Sequence, residues 1–398
     1  MPLQLLQFRP GINREGTTLA NEGGWFDCDK IRFRSGYPQK LGGWQPLSSY
    51  TYQGVARGLI NWVTLKGYNL LGVGTNLKYY VESGGIYNDI TPTRAVAVLT
   101  NPFTTTNGSK TVVVTDVDHG AITGDFVTFS GASAVGGLTL NGEYQITYIN
   151  TNAYSIQAAS AANADATGGG TVTATYQINV GLPTYGYLTG WGAGPWGYGT
   201  WGNGLPSISS LRLWSQSNYG QNLVFGPRGG GIYYWDASVG VGSRAVLLQD
   251  VMTSYDVPTV QHYTIVSDTS RFVFAFGCNE LGGSTLDPML VRWSDQESVA
   301  NWTPLPTNQA GFIRLSHGSE IRTAVQTRQE VVVITDASIY SLQYLGPPYV
   351  WSTQLLGDNI SIAGYNTAII ASGVVYWMGV DKFYRYDGRV QTLRCDLR

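Results

Sequence analysis

The chain has 398 residues, 13% of them charged and 51 of them glycine, with a formal net charge of −2. That length holds two or more ordinary domains or one large β architecture. A balance so near neutral carries no basic footprint for sequence-specific DNA binding, and the scattered Cys28, Cys278 and Cys395 write neither a disulfide framework nor a C-x-x-C metal site.

The opening "MPLQLLQFRPG" lacks the charged-then-apolar plan of a signal peptide. No stretch reaches the run of about 18 apolar residues that a membrane span needs, so the chain is expected to be made and folded in a cytoplasm. Residues 8–44 hold much of the charge, and "KIRFRSG" predicts a strand with Arg32 and Arg34 on one face and Ile31 and Phe33 on the other. Such a strand reads as an edge protected by charge, or as an arm that pairs with another subunit through Arg–carboxylate contacts. Residues 1–50 are therefore taken as an N-terminal arm and a candidate ring-closing strand.

An internal repeat follows. The stretches 58–92, 210–248, 262–280 with 288–304, 321–356 and 365–393 each read as strand, polar turn, apolar strand, turn, aromatic strand and a weaker fourth strand. The aromatic strand marks each unit: "LKYYV", "IYYWD", "LVRWSD", "IYSLQY", "FYRYDG". Four-stranded units recurring along a chain, none able to bury its faces alone, are the mark of propeller blades. No segment has a convincing helical period. The expected fold is all-β, a β-propeller-like body of about five or six four-stranded blades with a small inserted β-barrel or sandwich domain.

The first blade is placed at 51–94 and the insertion at 95–178, where the chain turns rich in Thr, Ala and Ser and contains no Trp. Five short strands are predicted there, at 111–115, 125–130, 142–149, 153–158 and 171–178, punctuated by Asn-Gly turns. Residues 179–205 form a crossing to the remaining blades at 206–398. Within it "WGAGPWGYGTWGNG" repeats every five residues, a period of neither helix nor strand. Its glycines permit tight turns, and Trp191, Trp196 and Trp201 offer large apolar plates. An Ω-type loop pinned to its own blade, an aromatic clasp on a neighbouring subunit and a sugar-stacking ladder are the readings open to it.

Little chemistry is written in the chain. His119, His262 and His317 sit in different units, and G-x-S-x-G, H-E-x-x-H and the P-loop are absent. Asp116, Asp118 and Asp125 lie close together without the glycine and glutamate of a calcium loop. Asp256, Asp268, Asp295 and Asp381 are carboxylates that a glycosidase reading could recruit. No catalytic residue, metal site or cofactor is assigned, and the chain is not expected to be an enzyme. Its 26 Tyr and 12 Trp, with Arg far outnumbering Lys, instead suit a subunit covered by neighbours.

"FRPGINREGT", "EGGWFDCDKIRFRSGYPQKLGGW", the W-G-x-G-x tract and "GVVYWMGVDKFYRYDGRVQTLRC" together resemble the tail-nozzle proteins of short-tailed bacteriophages, also called tail-hub or stabilisation proteins. The resemblance covers most of the chain outside 95–178, which is itself similar to a β module inserted in several phage proteins. It implies a virion tail protein in six copies, ringed below the portal and its adaptor and beside tail fibres or spikes. Double-stranded DNA would pass through the ring without sequence specificity, retained until ejection. Arg32, Arg34, Trp191, Trp196 and Trp201 are the expected subunit-interface residues. Members of that family continue past the position of Arg398 with further aromatic β segments, so the ring read here is expected to be a truncated one. The competing reading is a carbohydrate-binding or depolymerising propeller that recognises the host surface; a third, an adaptor between portal and nozzle, would require a helix-rich chain.

Overall fold

A computed structural model describes residues 9–14, 16–43, 45–46, 48–184, 211–251 and 256–393. The chain divides into two compact units, one drawn from its two ends and the other spanning Tyr50–Thr392. In the first, β1 (Ile31–Arg34) and β2 (Tyr37–Lys40) pair as an antiparallel hairpin. Arg32 and Arg34 are exposed, while Phe33 turns to the indole of Trp25, 6.2 Å away between ring centroids.

The second unit is all-β. Among its described residues the one helical element is a single 3-10 turn at Leu248–Asp250. The first blade is β3 (Ala56–Val63), β4 (Asn69–Thr75), β5 (Tyr79–Ser83) and β6 (Ile86–Asp89). After the insertion the second comprises β16 (Trp214–Tyr219), β17 (Asn222–Pro227), β18 (Tyr233–Trp235) and β19 (Val246–Leu247). The third holds β20 (Gln261–Val266), β21 (Val273–Asn279), β22 (Leu286–Trp293) and β23 (Gly311–Arg314). The fourth holds β24 (Ile321–Gln326), β25 (Glu330–Thr335), β26 (Ser338–Gly346) and β27 (Val350–Asp358). The fifth holds β28 (Ala368–Ala371), β29 (Val374–Met378), β30 (Phe383–Tyr386) and β31 (Val390–Thr392). Each is an antiparallel meander with its strands in chain order. The fourth strand of the third blade lies at Gly311–Arg314, beyond the 288–304 stretch assigned from sequence.

The first strands stand side by side, β3 against β16, β16 against β20, β20 against β24 and β24 against β28. Among the described residues no comparable contact joins β28 back to β3. Four separate cores lie between successive blades. Trp62, Tyr79, Phe225 and Trp235 pack between the first and second. Val224, Val273 and Ala275 pack between the second and third, and Phe274, Phe276, Val333 and Trp351 between the third and fourth. Ile334, Ile339, Trp377 and Tyr384 pack between the fourth and fifth. Alternate residues of β21 thus serve two different cores, which explains why β21 is buried along its whole length and why its sequence, "VFAFGCN", is not an alternating one. The fifth blade differs: along β29 only every second residue is buried.

The insertion is a sandwich rather than a barrel. Its four-stranded sheet has the order β11 (Gly142–Gln145), β10 (Phe126–Ser130), β15 (Thr171–Gln177), β7 (Thr93–Thr100). The facing five-stranded sheet runs β12 (Thr147–Asn150), β13 (Ala153–Gln157), β9 (Thr111–Thr115), β8 (Phe103–Thr105), β14 (Ala166–Gly168). The five strands expected from sequence become nine, because 142–149 breaks at buried Ile146 into two strands on different sheets, and β7, β8 and β14 carry no strong pattern. The core between the sheets contains Phe103, Phe129, Tyr154 and Tyr176, all buried.

Candidate functional site

The loops that lead into the first strands repeat one construction. Asn76, Asn279 and Asp336 lie at the ends of second strands, and their side-chain oxygens accept the backbone N–H groups of Val55 (2.7 Å), Thr259 (2.9 Å) and Ser319 (2.8 Å) respectively. In the first and fourth blades a glycine with positive φ, Gly54 (+91°) and Gly318 (+109°), lies against the Thr–Asx pair, where a Cβ would collide with Thr75 and Asn76 or with Thr335 and Asp336. Immediately beyond, the ladder slips between Ala56 and Gly58 and again between Ile321 and Thr323. Arg57 and Arg322 are therefore the bulged residues at equivalent positions of β3 and β24. His262 holds the matching second position of β20, which pairs with β21 in unbroken register. A bulge takes its residue out of the pairing pattern and re-aims the side chain.

In the fourth blade that re-aiming builds a cluster to which four blades contribute. Glu320, just before β24, accepts an ion pair from Arg228, which follows β17, and another from Arg322 at 3.1 Å. The His262 ring nitrogen Nδ1 lies 3.4 Å from the same carboxylate. Tyr365, ahead of β28, lies under both guanidinium groups, with Arg228 3.5 Å and Arg322 4.9 Å from its ring centroid. Its hydroxyl oxygen accepts a 2.5 Å hydrogen bond from Arg322 Nη1. Burial, reinforced by the nearby Arg228 charge and only partly offset by Glu320, pulls the His262 pKa down to about 4. The imidazole is therefore neutral at pH 7, and the cluster carries two positive charges against one negative.

A second polar cluster ties the insertion to the blades. Lys78, only 4% exposed in its side chain, pairs with Asp89 of the first blade at 3.0 Å and with Glu143 of β11. Its ammonium also lies 4.4 Å from the ring centroid of Phe126 on β10. Arg244, from the second blade, reaches Asp89 at 3.2 Å. Burial alone pushes the Asp89 carboxyl up, but Arg244, Lys78 and the hydrogen bonds from Thr91 outweigh it and leave it below its ordinary value. These groups are charged, paired and bonded, which suits a structural clasp.

The carboxylates singled out from sequence do not converge. Asp116 accepts the Tyr176 hydroxyl, and Asp125 takes the backbone N–H groups of Ile122 and Val180. Asp118 is exposed at a turn. Asp256 accepts from the Thr303 hydroxyl, while Asp295 accepts from the amides of Gln296 and Gln309. Among the described residues no group of three or more His, Cys, Asp or Glu is placed to hold a metal. Trp191, Trp196 and Trp201 lie outside the described residues. Arg228, Glu320, Arg322 and Tyr365 were missed by sequence reasoning; the available signal was the Arg or His at the second residue of the first strands, in "VARGLI", "VQHYTI" and "EIRTAV".

No family model matches the chain, and no curated protein matches it. Among solved structures it is similar to the phage phi92 endosialidase at 14% sequence identity and a TM-score of 0.27, over 86% of this chain and 55% of that one. The match therefore spans little more than half the length of that protein, and a likeness this slight carries no argument.

Proposed function

We propose that the chain is a structural subunit of a virion tail, the nozzle of a short-tailed phage, which builds a ring that holds packaged DNA and conducts it on ejection. The observation that carries this reading is the fate of apolar residues at the two ends of the blade series. On the first blade Leu59 and Val63 of β3 are exposed; on the fifth, Ile369 of β28, Met378 of β29 and Phe383 of β30 are exposed. Between these ends each blade packs on the next through a shared apolar core. Contiguous apolar surface on a protein with few charges is surface that another molecule covers. Two different faces at opposite ends of one series favour head-to-tail contacts, which close into rings when the rotation permits. The phage-tail motifs in "EGGWFDCDKIRFRSGYPQKLGGW" and "GVVYWMGVDKFYRYDGRVQTLRC" support the particular ring.

Electron microscopy of particles carrying an affinity label fused to this subunit tests the proposal. Density for the label around the tail axis below the portal is expected. Label confined to fibre tips, or missing from the particle, would favour the host-surface carbohydrate reading and end the nozzle reading.

A further inference from the structure

We propose that Arg322, at the bulge opening β24, binds a carboxylate through the Nε–Nη2 edge of its guanidinium, with Arg228 supplying the second positive charge. The inference is independent of the virion reading.

The geometry leaves one edge of the fork unused. Nη1 of Arg322 is committed to Glu320 and to the Tyr365 hydroxyl. Neither Nε nor Nη2 has an acceptor among the described residues, and the side chain is 31% exposed. Two parallel N–H donors in a plane match the two oxygens of a carboxylate, and a fork already held in place loses little freedom on binding. Arg322 is held on three sides: by the bulge at its backbone, by the Tyr365 ring beneath it and by Glu320 at Nη1.

Charge selects the ligand. Arg228 and Arg322 contribute two positive charges and Glu320 one negative, while His262 is neutral at pH 7, so one positive charge is unbalanced. A carboxylate neutralises it. A phosphate monoester, close to doubly charged, would overshoot and face Glu320. The lone charge is costly to leave half-buried, and a monoanion removes that cost. The chemistry fits an acidic side chain of a partner protein or an acidic sugar, which share the recognised group.

The test uses the full chain in thermal melts and titration calorimetry with glucuronate and with N-acetylglutamate amide, against sulfate and chloride at matched ionic strength. A saturable rise in melting temperature is expected with at least one carboxylate, and which one responds tells sugar from protein as the source. Arg322→Lys keeps the charge and removes the fork, so affinity should fall by about tenfold or more. In the wild-type protein the Arg322 Nε–H resonance should shift on titration, a readout that stands if the variant fails to fold. The proposal is overturned by a melt that does not saturate below about 100 mM ligand, by sulfate acting as strongly as the carboxylates, or by an unmoved Nε–H resonance.

Discussion

The inserted sandwich and the blade series solve the burial problem differently. The sandwich closes Phe103, Phe129, Tyr154 and Tyr176 between its own two sheets, and its exposed residues mix many Thr, Ser and Asn with a few apolar ones such as Val96, Val98 and Val117. A blade has no such interior. Phe274 is buried only because the fourth blade brings Trp351 to 4.9 Å from it, and the same β21 backbone turns Val273 to the second blade. A sandwich closes on itself, whereas a series of blades that does not close into a ring has two unfinished ends. Those ends carry Leu59 and Val63 on one side and Ile369, Met378 and Phe383 on the other. These exposed ends are the surfaces the proposed ring would cover.

The largest expected effect tests whether blade cores are shared. Phe274→Ala should cost about 3–5 kcal/mol and unfold the third and fourth blades together, read by urea titration with hydrogen exchange. Phe103→Ala should cost a similar amount yet leave exchange in the blades unchanged. Equal loss of protection in both regions would erase the distinction between them.

The Lys78 clasp is the physical link between the two regions. Lys78→Met leaves Asp89 and Glu143 with Arg244 as their remaining shared cation and should cost about 2 kcal/mol. Protease cleavage at the junctions flanking 93–177 should accelerate, while the blade cores stay intact. No change in cleavage would make the clasp ornamental.

A smaller effect depends on pH. His262 has its folded pKa pulled to about 4, below the ordinary value near 6.5. The unfolded chain therefore binds the proton first as pH falls. The stability this group contributes is complete above about pH 6.5 and is lost progressively toward pH 4, by roughly 2 kcal/mol after allowance for its partial exposure. His262→Gln should flatten that part of the profile, and Phe103→Ala should not. An unchanged slope in the His262 variant would place the titrating group elsewhere.

The five blades were legible in the sequence because strands buried on both faces, such as "VVVIT" and "VFAFGC", write unbroken apolar runs between turns. β23 was not, since its four residues follow a long loop and alternate weakly. The break at Ile146 was hidden for a similar reason: a strand that changes sheets keeps its alternation. The Arg228–His262–Glu320–Arg322–Tyr365 cluster was illegible because each blade supplies only one or two members, and spacing along the chain says nothing about which turns meet. The bulge that re-aims Arg322 depends on a shift in pairing that periodicity does not register.

The smallest effect on the lone molecule bears most on its function. Leu59→Lys or Ile369→Lys changes an exposed residue and should move stability by no more than about 0.5 kcal/mol. Native mass measurement of the wild-type chain and these two variants at micromolar concentration tests the central claim most directly. A closed oligomer is expected for the wild type and monomers for both variants. A wild-type chain that stays monomeric and soluble at that concentration would contradict the claim.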